Sequence, residues 1–359
     1  MSPLPMPPEY LDPARIGECP LATALLKVHC QDFRVQELPL YVAYGTGEHL
    51  FLWVRKQDVS ASHLIHVLSQ QLKVRQADIG IAGQKDRRAI TEQYVSVPVG
   101  CESKVASFTD ERIQILRTCR HTNKLRTGHL LGNRFQVILR SPNPPFPAET
   151  CDRARLRLLQ ISAEGFPNYY GEQRFGRQAE SVHKGVQLLD CTSATKKAFR
   201  TSRFEKKMLV SAVQSAVFNW VVSGRVRDRT WSEPIDGDVV CRRDGIRPFL
   251  YTDRNVDSTE QLIPMGPMRG PKMLAAEGQV LQQERAVLAA LQLTEACFHN
   301  KKLTPGARRP MIAWPSACSC EATECGSLRL GFDLPAGSYA TVLLREIVKE
   351  LRTDVQERP

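Results

Sequence analysis

Four of the seven residues from Ser141 to Pro147 (Ser-Pro-Asn-Pro-Pro-Phe-Pro) are prolines. Proline lacks the backbone donor that a strand or helix needs to run on, so regular structure must stop here and restart. With 359 residues the chain also exceeds the usual size of one hydrophobic core, and two structural units are expected. Ahead of the prolines, residues 24–57 read as short strands that include the apolar run Leu50 to Val54. A helix over 60–72 follows, with Leu64, Ile65, Leu68 and Leu72 at helical spacing behind capping serines, and then strands at 79–82, 94–99, 113–116 and 134–140. After the prolines an amphipathic helix is expected over 149–161. From about 167 to 310 the style changes, with helical patterns at 204–222 and 272–292 and a short β segment at 238–241. The last fifty residues return to the mixed style, with Gly331 to Pro335 leading into a helix expected from Tyr339 to Arg352. The fold class is α+β.

The 49 Lys and Arg outweigh the 38 Asp and Glu, giving a net charge of +11. Such an excess favours a polyanionic partner. It is concentrated in two runs. Arg112, Arg117, Arg120, Lys124, Arg126, Arg134 and Arg140 follow one another with no intervening acid and alternate with apolar residues and glycines, as on a strand-and-loop surface that tracks phosphates. Lys196, Lys197, Arg200, Arg203, Lys206 and Lys207 form the second run, which reads equally as a solvated face. Eleven scattered cysteines give no disulfide framework and fit reduced thiols. Cys318, Cys320 and Cys325, with Cys297 and His299, match no zinc template, so no metal is expected. No leader pattern and no membrane-length apolar run is visible, and a soluble, cytoplasmic protein is expected.

Chemistry concentrates in Gly83-Gln84-Lys85-Asp86-Arg87-Arg88-Ala89-Ile90-Thr91-Glu92-Gln93, which follows a strand-like segment. Asp86 stands among three cations that favour its ionised form. Charge pattern alone favours a turn aspartate in a structural ion pair. The whole string, however, resembles the GxKDxxAxTxQ signature of the TruD family, tRNA pseudouridine synthase D. Asn123-Lys124-Leu125-Arg126 with Gly128 to Phe135 resembles the same family, as does Pro167 to Gly176. So do Lys27 with Gln31-Asp32-Phe33, and Leu334 to Thr341. The matches occur in family order over nearly the whole chain.

The resemblance implies a pseudouridine-synthase-like mixed β-sheet catalytic domain in two pieces, residues 1–165 and 310–359, with an α+β TRUD domain inserted at 166–309. It implies a cofactor-free isomerisation of a tRNA uridine, at position 13, in which Asp86 forms a covalent adduct with the flipped nucleoside at either the uracil or the ribose. A flipped base needs an aromatic platform and polar groups that read its edge. Phe33, Phe135 and Tyr339 are candidates for the platform, and Asn133, which offers both a donor and an acceptor, for the edge. Lys85 and Gln93 of the signature complete the candidate substrate-binding set. The aromatic residues read equally as core. Tyr339 departs from the phenylalanine many relatives carry, and its hydroxyl either finds a polar partner or faces water. Phe135 stands where other pseudouridine synthase families use a tyrosine; a phenyl ring is no base, so proton removal from C5 falls to another group. Lys27 either partners Asp86 or lies solvated at a strand edge. Lys124, Arg126, Arg134, Gln173 and Arg174 are candidate RNA contacts; the last two alternatively order the junction between modules, or form no more than a glycine-flanked structural turn. The partner is tRNA, with no membrane, no protein partner and a monomeric state expected. A non-catalytic tRNA-binding or chaperone protein would keep the basic surface without depending on Asp86. A methyltransferase would need a glycine-rich cofactor loop, and none is visible; nor does Gly171 to Gly176 end as a phosphate loop does.

Overall fold

The computed structural model describes residues 8–189, 202–243, 245, 247–252 and 261–353. The proline-rich start up to residue 7, and Lys196, Lys197 and Arg200 of the second basic run, lie outside the described residues. In chain order the elements are β1 (Leu21–Leu26), β2 (Phe33–Pro39), β3 (His49–Gln57), α1 (Ala61–Leu72), β4 (Gly80–Ile81), β5 (Ile90–Pro98), α2 (Glu102–Val105), β6 (Ile113–His121), β7 (Leu130–Leu139) and α3 (Ala148–Glu164). Then come β8 (Phe166–Pro167), α4 (Glu180–Leu189), α5 (Arg203–Arg227), β9 (Val239–Arg242), β10 (Phe249–Leu250), β11 (Leu262–Met268), α6 (Gly278–Ala290), β12 (Ala307–Pro310) and β13 (Ile312–Ala313). The chain ends in β14 (Ser316–Ala322), β15 (Leu328–Pro335), α7 (Ala340–Arg345) and β16 (Val348–Thr353).

These elements form two compact units. A sheet unit comprises Cys19–Glu164, Trp314–Ala340 and the strand after Ile347; a helical unit comprises the chain up to Glu18, Gly165–Ala313 and Thr341–Glu346. Compared with the division expected from sequence, the first eighteen residues and Thr341–Glu346 group with the helical unit.

The sheet unit holds an eight-stranded mixed sheet in the order β14-β15-β7-β2-β5-β3-β6, with β4 also on β5. Its neighbours run antiparallel except β2 and β5, which are parallel. The strands reach further than their apolar runs: β7 begins at Leu130, β5 at Ile90, and β6 continues to His121. Alternation explains the extra length. Phe33, Val35 and Glu37 on β2 are buried while Arg34 and Gln36 between them are exposed, so polar residues face out without ending the strand. Gly132 on β7 has a packing reason: a Cβ there would lie 2.1 Å from Leu334 O on β15. Helix α1 starts at Ser60, whose side chain accepts from His63 N, and ends at Lys73 in the left-handed region. Its Leu64, Leu68 and Leu72 pack on Leu50, Leu52, Val54, Val95 and Val97 of the sheet.

The helix expected from Tyr339 to Arg352 is instead the short α7 followed by β16. β1 is the cause: its backbone groups need partners, and Val348–Thr353 supplies them in parallel register, Leu21 opposite Val348 and Leu26 opposite Thr353. In the helical unit, α5 is buried on most sides and packs with α4, Tyr10 and Phe175 around Val210, Val213 and Val217. It carries beside it a four-stranded sheet, β10-β9-β11-β12. No helix among the described residues is long and apolar enough to cross a membrane.

Leu68 is fully buried between α1 and the sheet. Leu68→Ala is expected to destabilise the protein by about 2–5 kcal/mol, read as a lowered midpoint in urea unfolding; an unchanged midpoint would show that this packing contributes nothing to the sheet unit.

Candidate active site

Asp86 sits in the turn between β4 and β5, with a third of its side chain (33%) open to solvent. The cation that reaches it is not a chain neighbour. Lys85 turns the other way, and Arg87 pairs with Asp58 at 3.5 Å. Lys27, just after β1, places Nζ 3.3 Å from Asp86 Oδ1 and 4.1 Å from the centroid of the Phe33 ring. Its side chain is therefore buried against Phe33 rather than solvated at an edge. Lys27 achieves this with φ at 59°, a left-handed conformation that non-glycine residues adopt only when surrounding contacts enforce it.

A second group of charges fixes the residue before Asp86. Lys85 Nζ lies 2.9 Å from Glu37 Oε2 and donates to Asn133 Oδ1 at 2.6 Å. An ammonium can only donate, so the atom facing it must be the carbonyl oxygen of the amide. One lone pair of Asn133 Oδ1 is thus taken by Lys85, while its NH₂ is the part of the amide that this contact leaves untouched. Glu37 is buried, which pushes its carboxyl up, opposed by Lys85 and by the Tyr94 amide that donates to Oε1 at 3.2 Å. Phe33 packs edge-on to Phe135 at 5.9 Å, and Phe135 stacks on Phe332 at 5.4 Å; both Phe33 and Phe135 are buried. Tyr339 is half-buried between β15 and α7, after Leu334, which pairs with Asn133. Gln93 does not face the open side. It is fully buried beneath the loop, its amide nitrogen 3.5 Å from Gly83 O.

This constellation of Asp86, Lys27, Phe33, Asn133 and Phe135 uses the residues that the family signatures single out. The family model for tRNA pseudouridine synthase D (TruD) matches residues 16–199 and 186–347. The chain belongs to the TruD family. It is 33% identical to the tRNA pseudouridine synthase D of Hydrogenovibrio crunogenus over 335 residues, 91% of this chain and 93% of the relative. It is 33% identical to that of Thermus thermophilus over 328 residues, 90% of this chain and 88% of the relative. A solved structure described as the putative tRNA pseudouridine synthase D of Methanosarcina mazei shares the fold, with a TM-score of 0.67 at 22% identity over 95% of both chains.

Around the TruD signature the structure also brings in residues that sequence reading missed. Lys56 on β3 is fully buried, and its Nζ donates to Val59 O at 2.6 Å and to the main-chain oxygen of Asp86 at 2.8 Å. The signal was periodicity: Lys56 and Glu37 fall in phase with the buried Leu52 and Val54, and with Phe33 and Val35. Asp32, already part of the family resemblance, is also buried; it takes a bidentate pair from Arg140 at 2.7 and 2.9 Å and fixes the start of β2.

The candidate RNA contacts separate. Arg126 is exposed and Lys124 half-exposed, its Nζ donating to Ala77 O at 2.5 Å. Arg134 alternates with Asn133 along β7 and so points to the opposite sheet face, where Asp333 holds it through two contacts of 2.8 Å. In the helical unit Arg174 donates to Ser211 Oγ and, at 3.3 Å, to Ser215 Oγ, so its guanidinium is engaged within its own unit, while Gln173 is exposed. Cys318, Cys320 and Cys325 lie in the sheet unit, whereas Cys297 and His299 lie in the helical unit. No metal-holding group of three or more His, Cys, Asp or Glu occurs among the described residues.

Burial pulls the Lys56 ammonium from its ordinary 10.5 down to about 8. The unfolded chain thus binds more protons between these values, so stability should rise with pH across that window and be flat below it for this group. Lys56→Met should abolish that rise. Urea unfolding of both proteins at the two ends of the window checks it: a wild-type minus variant difference that stays constant would show that Lys56 titrates as in an unfolded chain.

Proposed function

We propose that this chain isomerises uridine to pseudouridine in tRNA, at uridine 13, with Asp86 as nucleophile. The observation that carries the reading is a partly open carboxylate, held by a buried lysine at 3.3 Å, in a chain that belongs to the TruD family. The names of the relatives support the reaction class. In the reaction an Asp86 oxygen forms a covalent adduct with the flipped nucleoside, at uracil or ribose, as the C1′–N1 bond breaks. The uracil turns, C1′ joins C5, the bond to the Asp86 oxygen breaks and frees the carboxylate, the C5 proton leaves, and N1 takes up a proton. No atom or electron is gained overall, so the protein's task is to hold and orient. Lys27 holds and aims the carboxylate. The Asn133 NH₂ reads a carbonyl of the base, Tyr339 covers it, and Phe33 and Phe135 form the apolar floor on which the detached ring turns. Lys85 and Gln93 act one step back, through Asn133 and through the Asp86 loop. Lys124 and Arg126 contact phosphate. The enzyme works as a cytoplasmic monomer.

Purified protein incubated with unmodified tRNA, without added metal or cofactor, should form pseudouridine at position 13, read by chemical mapping. Asp86→Asn should lower the single-turnover rate on the order of a thousandfold or more while tRNA binding persists. Full activity in this variant would refute the nucleophile and leave a tRNA-binding protein with another catalytic group. Reversing Lys124 and Arg126 to Glu should weaken tRNA binding and reduce the slope of log affinity against log salt by about one for each phosphate no longer neutralised; an unchanged slope would take this surface out of the RNA path.

A further inference from the structure

The sheet unit holds a second recess near the Asp86 loop. Tyr41, Tyr44, His121, Lys124, Arg126 and His129 line a cavity of about 430 Å³. It is tied to the catalytic loop through the backbone: Gly128 N donates to Ala82 O at 2.8 Å. Ala82 is four residues ahead of Asp86, a stretch that reaches at most about 14 Å when extended. His129 also leads directly into β7, which carries Asn133.

The recess is built of rings. Tyr41 stacks on His121 with centroids 5.0 Å apart and planes 14° from parallel, and Tyr44 meets His121 edge-on at 4.6 Å. Tyr41 meets His129 edge-on, and its hydroxyl pairs with His129 Nδ1 at 2.7 Å. These contacts fix the ring orientations. Core packing does not account for Tyr44, which is 57% exposed. His121 is buried, and burial with the nearby His49 pulls its ring below the usual imidazole range. Its Nδ1 nevertheless lacks a hydrogen-bond partner among the described residues. Arg126 is exposed, forms no ion pair among the described residues and lines the recess together with Tyr41. Rigid ring faces rimmed by cations suit a base and its phosphate together, whereas a bare anion site would need no rings.

We infer that this recess takes an unpaired nucleobase of the tRNA, stacked on Tyr44, with the adjoining phosphate beside Lys124 and Arg126. The inference rests on tRNA being the substrate. It adds a second anchor on the chain that delivers the uridine to Asp86, and so recognition of a single-stranded or opened segment rather than of an intact duplex.

The test is tRNA affinity by filter binding for the wild type, Tyr44→Ala and Tyr44→Phe. Loss of one base stack corresponds to about a 5- to 150-fold weaker affinity for Tyr44→Ala, largely independent of salt, with Tyr44→Phe close to wild type. Unchanged affinity in Tyr44→Ala would overturn the stack, as would a loss that disappears at high salt, the result expected of phosphate binding alone. Thermal unfolding of Tyr44→Ala separates misfolding from a missing stack, and the exposed ring predicts an unchanged midpoint. A wild type that binds tRNA but forms no pseudouridine would refute the proposed reaction and leave this comparison valid.

Discussion

A lysine ammonium removed from water costs several kcal/mol unless its donors are met, and the Asp86 loop is built on three such groups. Lys56 is fully buried and spends its donors on the carbonyls of Val59 and Asp86. Lys85 lies between Glu37 and Asn133, and Lys27 between Asp86 and the Phe33 ring. Each pairing joins the loop to a different strand: Lys56 to β3, Glu37 to β2, Asn133 to β7, and Lys27 to the end of β1. None of these ammonium groups is satisfied in a partly built sheet. The loop geometry is therefore a property of the assembled sheet, and the same contacts that place the carboxylate penalise any register in which the strands slip.

This dependence runs outward into the sheet. A one-residue slip of β2 against β7 would turn Glu37 and Phe33 to the face now occupied by Arg34 and Gln36. The bidentate Arg140–Asp32 pair resists that slip at the start of β2, and on the other side of β7 the close approach of Gly132 to Leu334 holds the register with β15. Beneath the loop, Thr91 and Gln93 are fully buried with side-chain oxygens that find no partner among the described residues. Such groups persist only where neighbouring contacts over-determine the structure, as the lysines do here.

The order in which sequence signals succeeded follows the range of the contacts behind them. Helices α1 and α3 were legible to within a few residues because caps and periodicity are local. Asp86 was legible as a candidate because its signature is contiguous. Lys27 was legible as one of two readings, but Glu37 and Lys56, and the contact of Lys85 with Asn133, were not, since strand pairing across tens of residues brings them together. Charge adjacency even pointed the wrong way, because Lys85 and Arg87, next to Asp86 in the chain, pair with Glu37 and Asp58. The α7–β16 boundary failed for a related reason: helical periodicity after Tyr339 competes with a strand partner more than three hundred residues earlier in the chain.

The orientation of Asn133 has a consequence for the choice of base. With one lone pair of Oδ1 taken by Lys85, the NH₂ is the part of the amide left for the base in the proposed reaction, and it needs an acceptor opposite it. Uracil has two, O2 and O4. At O4 cytosine carries an amino group, which would set donor against donor and leave buried groups unpaired, at about 1–3 kcal/mol each. At O2 the two bases are alike and Asn133 would not discriminate. An NH₂ facing the base thus selects uridine only if it reads O4, the carbonyl adjacent to C5, where the new glycosidic bond forms. Reading at O4 would hold the base by an atom beside its reacting carbon throughout the turn, so that recognition and positioning fall to the same hydrogen bond, with Lys85 and Glu37 behind it fixing its direction.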